Sequence, residues 1–287
     1  YLSVRSLFDA FNLALATFSS AGFATHDDSF GFFASHSAIQ WVAIIFMILG
    51  GTPTLVFVLA AYRKKIPKIL ISQSQTFLLG LLTIIILLIT YRLFNNPKAI
   101  ASAQIVREVS FNIVSIVTTT GFVASDYGAW GSFPLALIYF LTLAGGCTGS
   151  TSCGIKIFRF QVIGILLFLK LKEIFNPNTV FLVKIGNKRL NREVMKSIAV
   201  YFIIFAICFW LLLIYLSLLG IDHITALSGA ATALANVGPG LGEIIGPTGN
   251  FASLSEAAKW GLILGMIIGR LEFLAVLVLF SRYFWRD

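Results

Sequence analysis

The stretch IASAQIVREVSFNIVSIVTTTGF, residues 100–122, carries the reading that decides the fold. Its run from Ile100 to Thr118 is semi-apolar but too short for a bilayer, which takes about 20 apolar residues to cross. It ends in a small-residue loop, Thr119-Thr120-Gly121-Phe122. Two more stretches follow the same plan. Leu7 to Ser19 leads into Ser20-Ala21-Gly22-Phe23, and His223 to Ala235 leads into Asn236-Val237-Gly238-Pro239-Gly240. The three loop glycines lie about a hundred residues apart, which marks an internal repeat.

Working outward, three runs suffice as single membrane-crossing helices: Thr76 to Phe94, Ile198 to Leu219 and Trp260 to Phe280. A fourth, Ser37 to Ala61, is interrupted by Gly50, Gly51 and Pro53 and is expected to bend or break near its middle. A fifth, Phe133 to Leu169, is too long for one span and carries GGCTGSTSCG, Gly145 to Gly154, at its centre, so it reads as two half-helices joined by irregular backbone. The order of spanning helix, short helix, glycine loop and spanning helix divides the chain into units at 1–75, 76–197 and 198–287. The first unit opens at Tyr1 without a leading helix, so the reading expects a piece of a longer protein.

Composition agrees. The 287 residues are 58% hydrophobic and only 11% charged, outside the range of ordinary soluble domains. The net charge of +9 is explained by the positive-inside rule, which excludes nucleic acid as the natural partner. Fifteen of the 21 basic residues fall after the first span, between Gly154 and Ile198, and in the tail, against three acids there. The glycine-loop side holds eight acids, including Asp27, Asp28, Asp126 and Glu243. The basic loops therefore face the cytoplasm and the glycine loops face outward. Cys147, Cys153 and Cys208 have no histidine partners at metal-ligand spacing and read as small packing residues.

Irregular backbone at membrane depth survives only where protein or a watery cavity satisfies its polar groups. Re-entrant glycine loops in a ring can present carbonyls that replace the water shell of a dehydrated cation. The short helices would point the negative ends of their dipoles at that ion. On this reading Ser20, Ala21, Gly22, Thr119, Thr120, Gly121, Asn236, Val237 and Gly238 line a filter for potassium. A lone glycine loop would be packing or a plain turn, as Gly261, Gly265 and Gly269 suggest for the last span; three in register favour the filter. The Gly145 to Gly154 segment is either a packed kink or a movable plug. Arg270, at membrane depth, is either half of an interhelical ion pair or a pore-facing barrier to cations. Nothing in the chain provides a nucleophile-base pair or a phosphate-binding loop, so no enzyme activity and no bound cofactor are expected.

The runs GGCTGSTSCGIKIFRF, NPNTVFLVKIGNKRL and NVGPGLG, with AKWGLILGMIIGRLEFLAVLVLFSRYFWRD, resemble the TrkH family of bacterial Trk potassium uptake systems. AGFATHDDSFGFF and VTTTGFVASDYGAW resemble it too. The resemblance implies an all-α polytopic membrane protein with pseudo-fourfold helix, pore loop, helix repeats, of which three are present. It puts Gly22, Gly121 and Gly238 on filter glycines, Arg270 on a pore-facing arginine, and Gly145, Gly146, Gly149, Ser150, Thr151, Ser152 and Gly154 on an intramembrane gate. The family commonly has three consecutive glycines where this chain has Ser152, Cys153 and Gly154, which predicts a stiffer loop. The resemblance further implies a homodimer in the bacterial inner membrane and control by a TrkA-like cytoplasmic nucleotide-binding subunit. A non-conducting scaffold and an alternating-access carrier are the competing readings; the parallel units at one spacing disfavour inverted halves.

Overall fold

The structure, a computed structural model, describes residues 6–34, 36–95, 102–176, 184–185, 188–279, 282 and 284–285. The first unit consists of α1 (Leu7–Phe18), α2 (Ser37–Gly51) and α3 (Thr54–Ala61). The second consists of α4 (Lys68–Asn95), α5 (Ser102–Val117), α6 (Ser132–Leu143) and α7 (Ile157–Phe175). A two-residue antiparallel pair, β1 (Lys184–Ile185) with β2 (Lys188–Arg189), lies in the basic segment. The third unit consists of α8 (Arg192–Leu218), α9 (His223–Ala235), the short α10 (Gly242–Ile245), α11 (Glu256–Arg270) and α12 (Phe273–Leu279). The fold is thus helical, with the repeated helix, loop, helix order.

Helices α4 and α8, at 28 and 27 residues with mean hydropathy 2.4 and 2.8, are long and apolar enough to cross a membrane. Their two faces differ. On α8, Tyr201, Phe205, Leu212 and Leu216 are buried, whereas Ile203, Ile207, Leu211, Ile214 and Leu218 form an exposed apolar stripe at spacings of three and four. A stripe of that kind has a natural solvent in lipid rather than water. A small cluster forms around Val162, Ile185 and Ile198, and the inner faces close two larger cores. One joins the first two units around Phe30, Met47, Phe77, Phe111 and Phe122; the other surrounds α9 with Leu216, Ala226, Ala230 and Leu262.

In each unit the helix after the glycine loop is broken. Between α2 and α3 the axis turns by 89°. Thr52 is extended there, as residues before proline prefer, and Pro53 has no N–H to continue the ladder. Between α6 and α7 lies the glycine-rich segment. The third break corrects the sequence reading, which took Trp260 to Phe280 as one span: α11 stops at Arg270, and Glu272 adopts φ 61°, a left-handed conformation that ends the helix. Neither Leu271 nor Glu272 is a glycine or proline, and Glu272 makes a tertiary contact described below. Phe280 itself lies outside the described residues. The small-residue face of α11 does pack closely, with Gly261 against the Tyr215 ring, Gly265 against Leu212 and Gly269 against the Leu234 carbonyl.

Candidate functional site

The three glycine loops share one backbone. The residue that follows each short helix by one or two positions is left-handed: Ser20 at φ 52°, Thr119 at 54° and Asn236 at 54°. Its N–H bonds back three residues, to Thr17 O, Ile116 O and Ala233 O at 3.3, 2.9 and 3.2 Å. The next N–H bonds back five, Ala21 to Ala16 O, Thr120 to Ser115 O and Val237 to Thr232 O, at 2.9, 2.8 and 3.1 Å. This pair of bonds is the Schellman cap, which satisfies the last carbonyls of a helix and turns the chain sharply. The glycine then follows with positive φ in every case: Gly22 at 71°, Gly121 at 85° and Gly238 at 115°. A β-branched threonine at φ 54° is uncommon and persists only where its surroundings enforce it.

The loops also stand in sequence around a centre. A methyl group built on Gly22 would lie 1.8 Å from the Thr120 carbonyl oxygen, and one built on Gly121 would lie 1.9 Å from the Val237 carbonyl oxygen. Each glycine therefore abuts the carbonyl just before the next loop's glycine, and the same step is taken twice. From Gly238 the corresponding step meets only the Gly121 Cα, at 3.8 Å. The C-terminal ends of α1, α5 and α9 converge here, which concentrates partial negative charge at the loops.

The Gly145 to Gly154 segment docks against the ends of these short helices. Its neck is closed by backbone bonds from Gly145 N to Ile155 O at 2.9 Å and from Ile155 N to Leu143 O at 3.0 Å. Its body sits in the α2/α3 break through Cys147 N to Gly51 O (2.9 Å), Thr151 N to Gly50 O (3.2 Å) and Thr54 N to Gly149 O (3.0 Å). It then reaches two of the three left-handed residues. Ser20 and Thr151 share a hydroxyl bond of 2.9 Å, and Cys153 N donates to Thr119 Oγ1 at 2.7 Å. Ser152 Oγ accepts from Gly146 N at 3.0 Å and contacts Ser150 Oγ at 2.6 Å, ties that a glycine there would lack. Gly149 and Gly154, at φ 81° and 67°, let the segment double back.

Beside this segment opens a cavity of about 870 Å³, lined among others by Ser152, Lys156, Arg159, Arg270 and Glu272. Arg270 closes its roof: the guanidinium donates to Thr151 O at 3.3 Å and touches Cys153 Sγ. Lys156 Nζ donates to Ser152 O from the other side. Among the described residues no carboxylate lies within ion-pair distance of Arg270. The sequence alternative of an interhelical ion pair falls instead to its neighbour, since Glu272 pairs with Arg159 of α7 at 3.2 Å. The Arg159 guanidinium also lies 3.6 Å over the Tyr201 ring of α8. These contacts tie the residue two positions after Arg270 to α7 and α8.

The nine loop residues, the Gly145 to Gly154 segment and Arg270, which sequence reasoning named as filter, gate and barrier, lie near one another in the structure. That reasoning missed the left-handed residues as cap positions, the Arg159 to Glu272 bridge, and the hydroxyl ties from the loops to the segment. Asn236 after an alanine-rich helix carried a readable cap signal. Thr119 and Glu272 carried none.

Known proteins resemble this chain along its length. Residues 2–286 match the family described as TrkH, cation transport protein. The Trk system potassium uptake protein TrkI of Halomonas elongata is 43% identical over 287 residues, covering 100% of this chain and 58% of that protein. The Trk system potassium uptake protein TrkH of Escherichia coli K12 is 32% identical over 284 residues, 98% of this chain and 57% of that protein. Among solved structures, the crystal structure of the potassium transporter TrkH from Vibrio parahaemolyticus has a TM-score of 0.89 at 28% identity, covering 99% of this chain and 60% of that one. The chain thus spans less than two thirds of the length of these relatives.

Proposed function

Since the chain belongs to the TrkH family of cation transport proteins, we propose that it forms three pore units, 1–75, 76–197 and 198–287, of a potassium-uptake subunit. The observation that carries this reading is the thrice-repeated loop, left-handed residue then glycine, in which Gly22 and Gly121 each abut the next loop's carbonyl. Ser20 to Gly22, Thr119 to Gly121 and Asn236 to Gly238 then supply three sides of a carbonyl cage for a dehydrated potassium ion. A fourth loop of the same form would fit between Gly238 and Ala21. The transported ion is held by backbone oxygens, so no resident cofactor is required.

The Gly145 to Gly154 segment acts as the gate beneath the cage, and Arg270, bonded to it, as a positive barrier on the exit. The hydroxyl bonds from Ser20 and Thr119 support this reading, because they let the cage and the gate sense each other. Ser152 and Cys153, in place of glycines, stiffen the closed form. The glycine loops face outward and the basic segments face the cytoplasm of a bacterial inner membrane. There, with a second copy of the subunit, they meet a TrkA-like nucleotide-binding regulator.

The test is rubidium uptake by the full-length protein in cells stripped of their own potassium uptake. Restored uptake and growth on limiting potassium are expected. Absence of uptake, with the protein present in the membrane beside its regulator, would refute the reading.

A further inference from the structure

The three loops are alike in backbone and unlike in what stands behind them. Six residues before the loop glycine, the short helices carry Ala16, Ser115 and Thr232. The backbone oxygen of this residue accepts the same bond in all three loops, as described above. The side chain adds to it in only two. Ser115 Oγ donates to Phe122 O at 2.7 Å, and Thr232 Oγ1 accepts from Gly238 N at 2.9 Å. One turn further back the difference recurs. Asn112 Oδ1 accepts from Ala124 N at 3.1 Å while its Nδ2 donates to Ser125 Oγ at 2.9 Å. Ser228 Oγ accepts from Leu241 N at 2.9 Å. Asn112, Ser115, Ser228 and Thr232 are all buried, Asn112 and Ser115 completely.

Among the described residues helix α1 has no hydrogen-bonding side chain at these two places; its tie lies further out, where Asp9 stands 3.6 Å from His26 Nε2. Leu13 occupies the place of Asn112, nine residues before the glycine, and Asn12 turns its amide back to Phe8 O at 2.8 Å. Among the described residues no α1 side chain bonds to residues 22–24. Buried hydrogen bonds resist displacement of the groups they join, because breaking one strands a donor or acceptor away from water. A cage that must refuse a smaller cation has to resist contracting around it, and that resistance resides in whatever holds its carbonyls.

We propose that Ser115 and Thr232, with Asn112 and Ser228 behind them, are positioning residues that set ion selectivity by fixing the second and third loops. The first loop, backed by Ala16 and Leu13, is the compliant side. This rests on the filter reading above, and deepens it by separating the rigid part of the cage from the soft one.

The experiment compares rubidium and sodium uptake by the full-length protein in lipid vesicles. Ser115→Ala should lower the rubidium-to-sodium ratio about fivefold, the effect of losing one buried hydrogen bond. Ser115→Thr, which keeps the hydroxyl as the third loop does, should stay within about twofold of the parent. Should Ser115→Ala fail to reach the membrane, Thr232→Val removes the equivalent bond at nearly constant shape and is expected to lower the same ratio. An unchanged ratio in the alanine or valine variant, with Gly121→Ala still lowering it, overturns the brace and leaves the filter standing. An unchanged ratio in Gly121→Ala as well overturns both.

Discussion

Gly121→Ala is the smallest change that tests the loop geometry. The new methyl group would stand 1.9 Å from the Val237 carbonyl oxygen and 3.0 Å from its carbon, both backbone atoms. To reach an ordinary contact the two loops must part by roughly 1.5 Å, in an interior that has no slack to absorb it. The alanine would also inherit φ 85°, which costs an L-residue about 1–2 kcal/mol. Part of that cost will be relieved by turning the Val237 carbonyl away, and a cage that loses one well-placed oxygen by about 1.4 kcal/mol loses a factor of ten in binding. The expected result is therefore an approximately tenfold fall in the rubidium-to-sodium uptake ratio of the full-length protein in vesicles. Gly80→Ala is the control: nothing lies within 4 Å of the added methyl group, and the residue is inside α4, where alanine favours the helix. A Gly121→Ala protein that keeps the parent ratio, or a Gly80→Ala protein that loses it equally, would refute the argument that loop contact sets the ion preference.

Two more outcomes follow from the charges. A unit positive charge about 6 Å from a passing cation raises its energy by roughly 3 kcal/mol at an effective dielectric near 20. Arg270→Ala, which also releases Thr151 and Cys153, should accordingly raise rubidium flux by one to two orders of magnitude; unchanged flux from correctly inserted protein argues against a barrier there. At the C-terminal end of α4, Arg92 is buried, bonded to Glu108 at 3.1 Å and stacked 4.6 Å from the Trp130 ring centre. Arg92→Met strands Glu108 and should cost about 3–5 kcal/mol, seen as a lower melting temperature in detergent, whereas Arg92→Met with Glu108→Met should recover most of it. Equal losses in the single and double variants would mean that the pair does not hold α4 to α5.

The bulk of the architecture was readable from local pattern. Apolar runs of known length must be spans, because an unpaired backbone group in lipid is too costly for other forms. The same short helix and glycine loop, three times in register, indicated the repeat, and Pro53 with its glycines indicated the bend after α2. Such features are written in a few consecutive residues.

What the chain could not disclose locally is whatever depends on residues brought together from different units. The break at Glu272 falls on a residue that is neither glycine nor proline, and its carboxylate meets Arg159, 113 positions away. Thr119 is left-handed although β-branched, because the Schellman bonds and the Cys153 amide fix it from two sides. The unequal bracing of the loops is likewise invisible in sequence, where Ala16, Ser115 and Thr232 are three small residues of similar size. Sequence alone determined the membrane setting, the repeat and the place of its glycines, since hydrophobic burial and backbone sterics act over short stretches. Tertiary structure alone decided which carbonyl each glycine meets, which partner Arg270 takes and which loops are held rigid, since hydrogen bonds and ion pairs depend on ångström distances between segments that only packing sets.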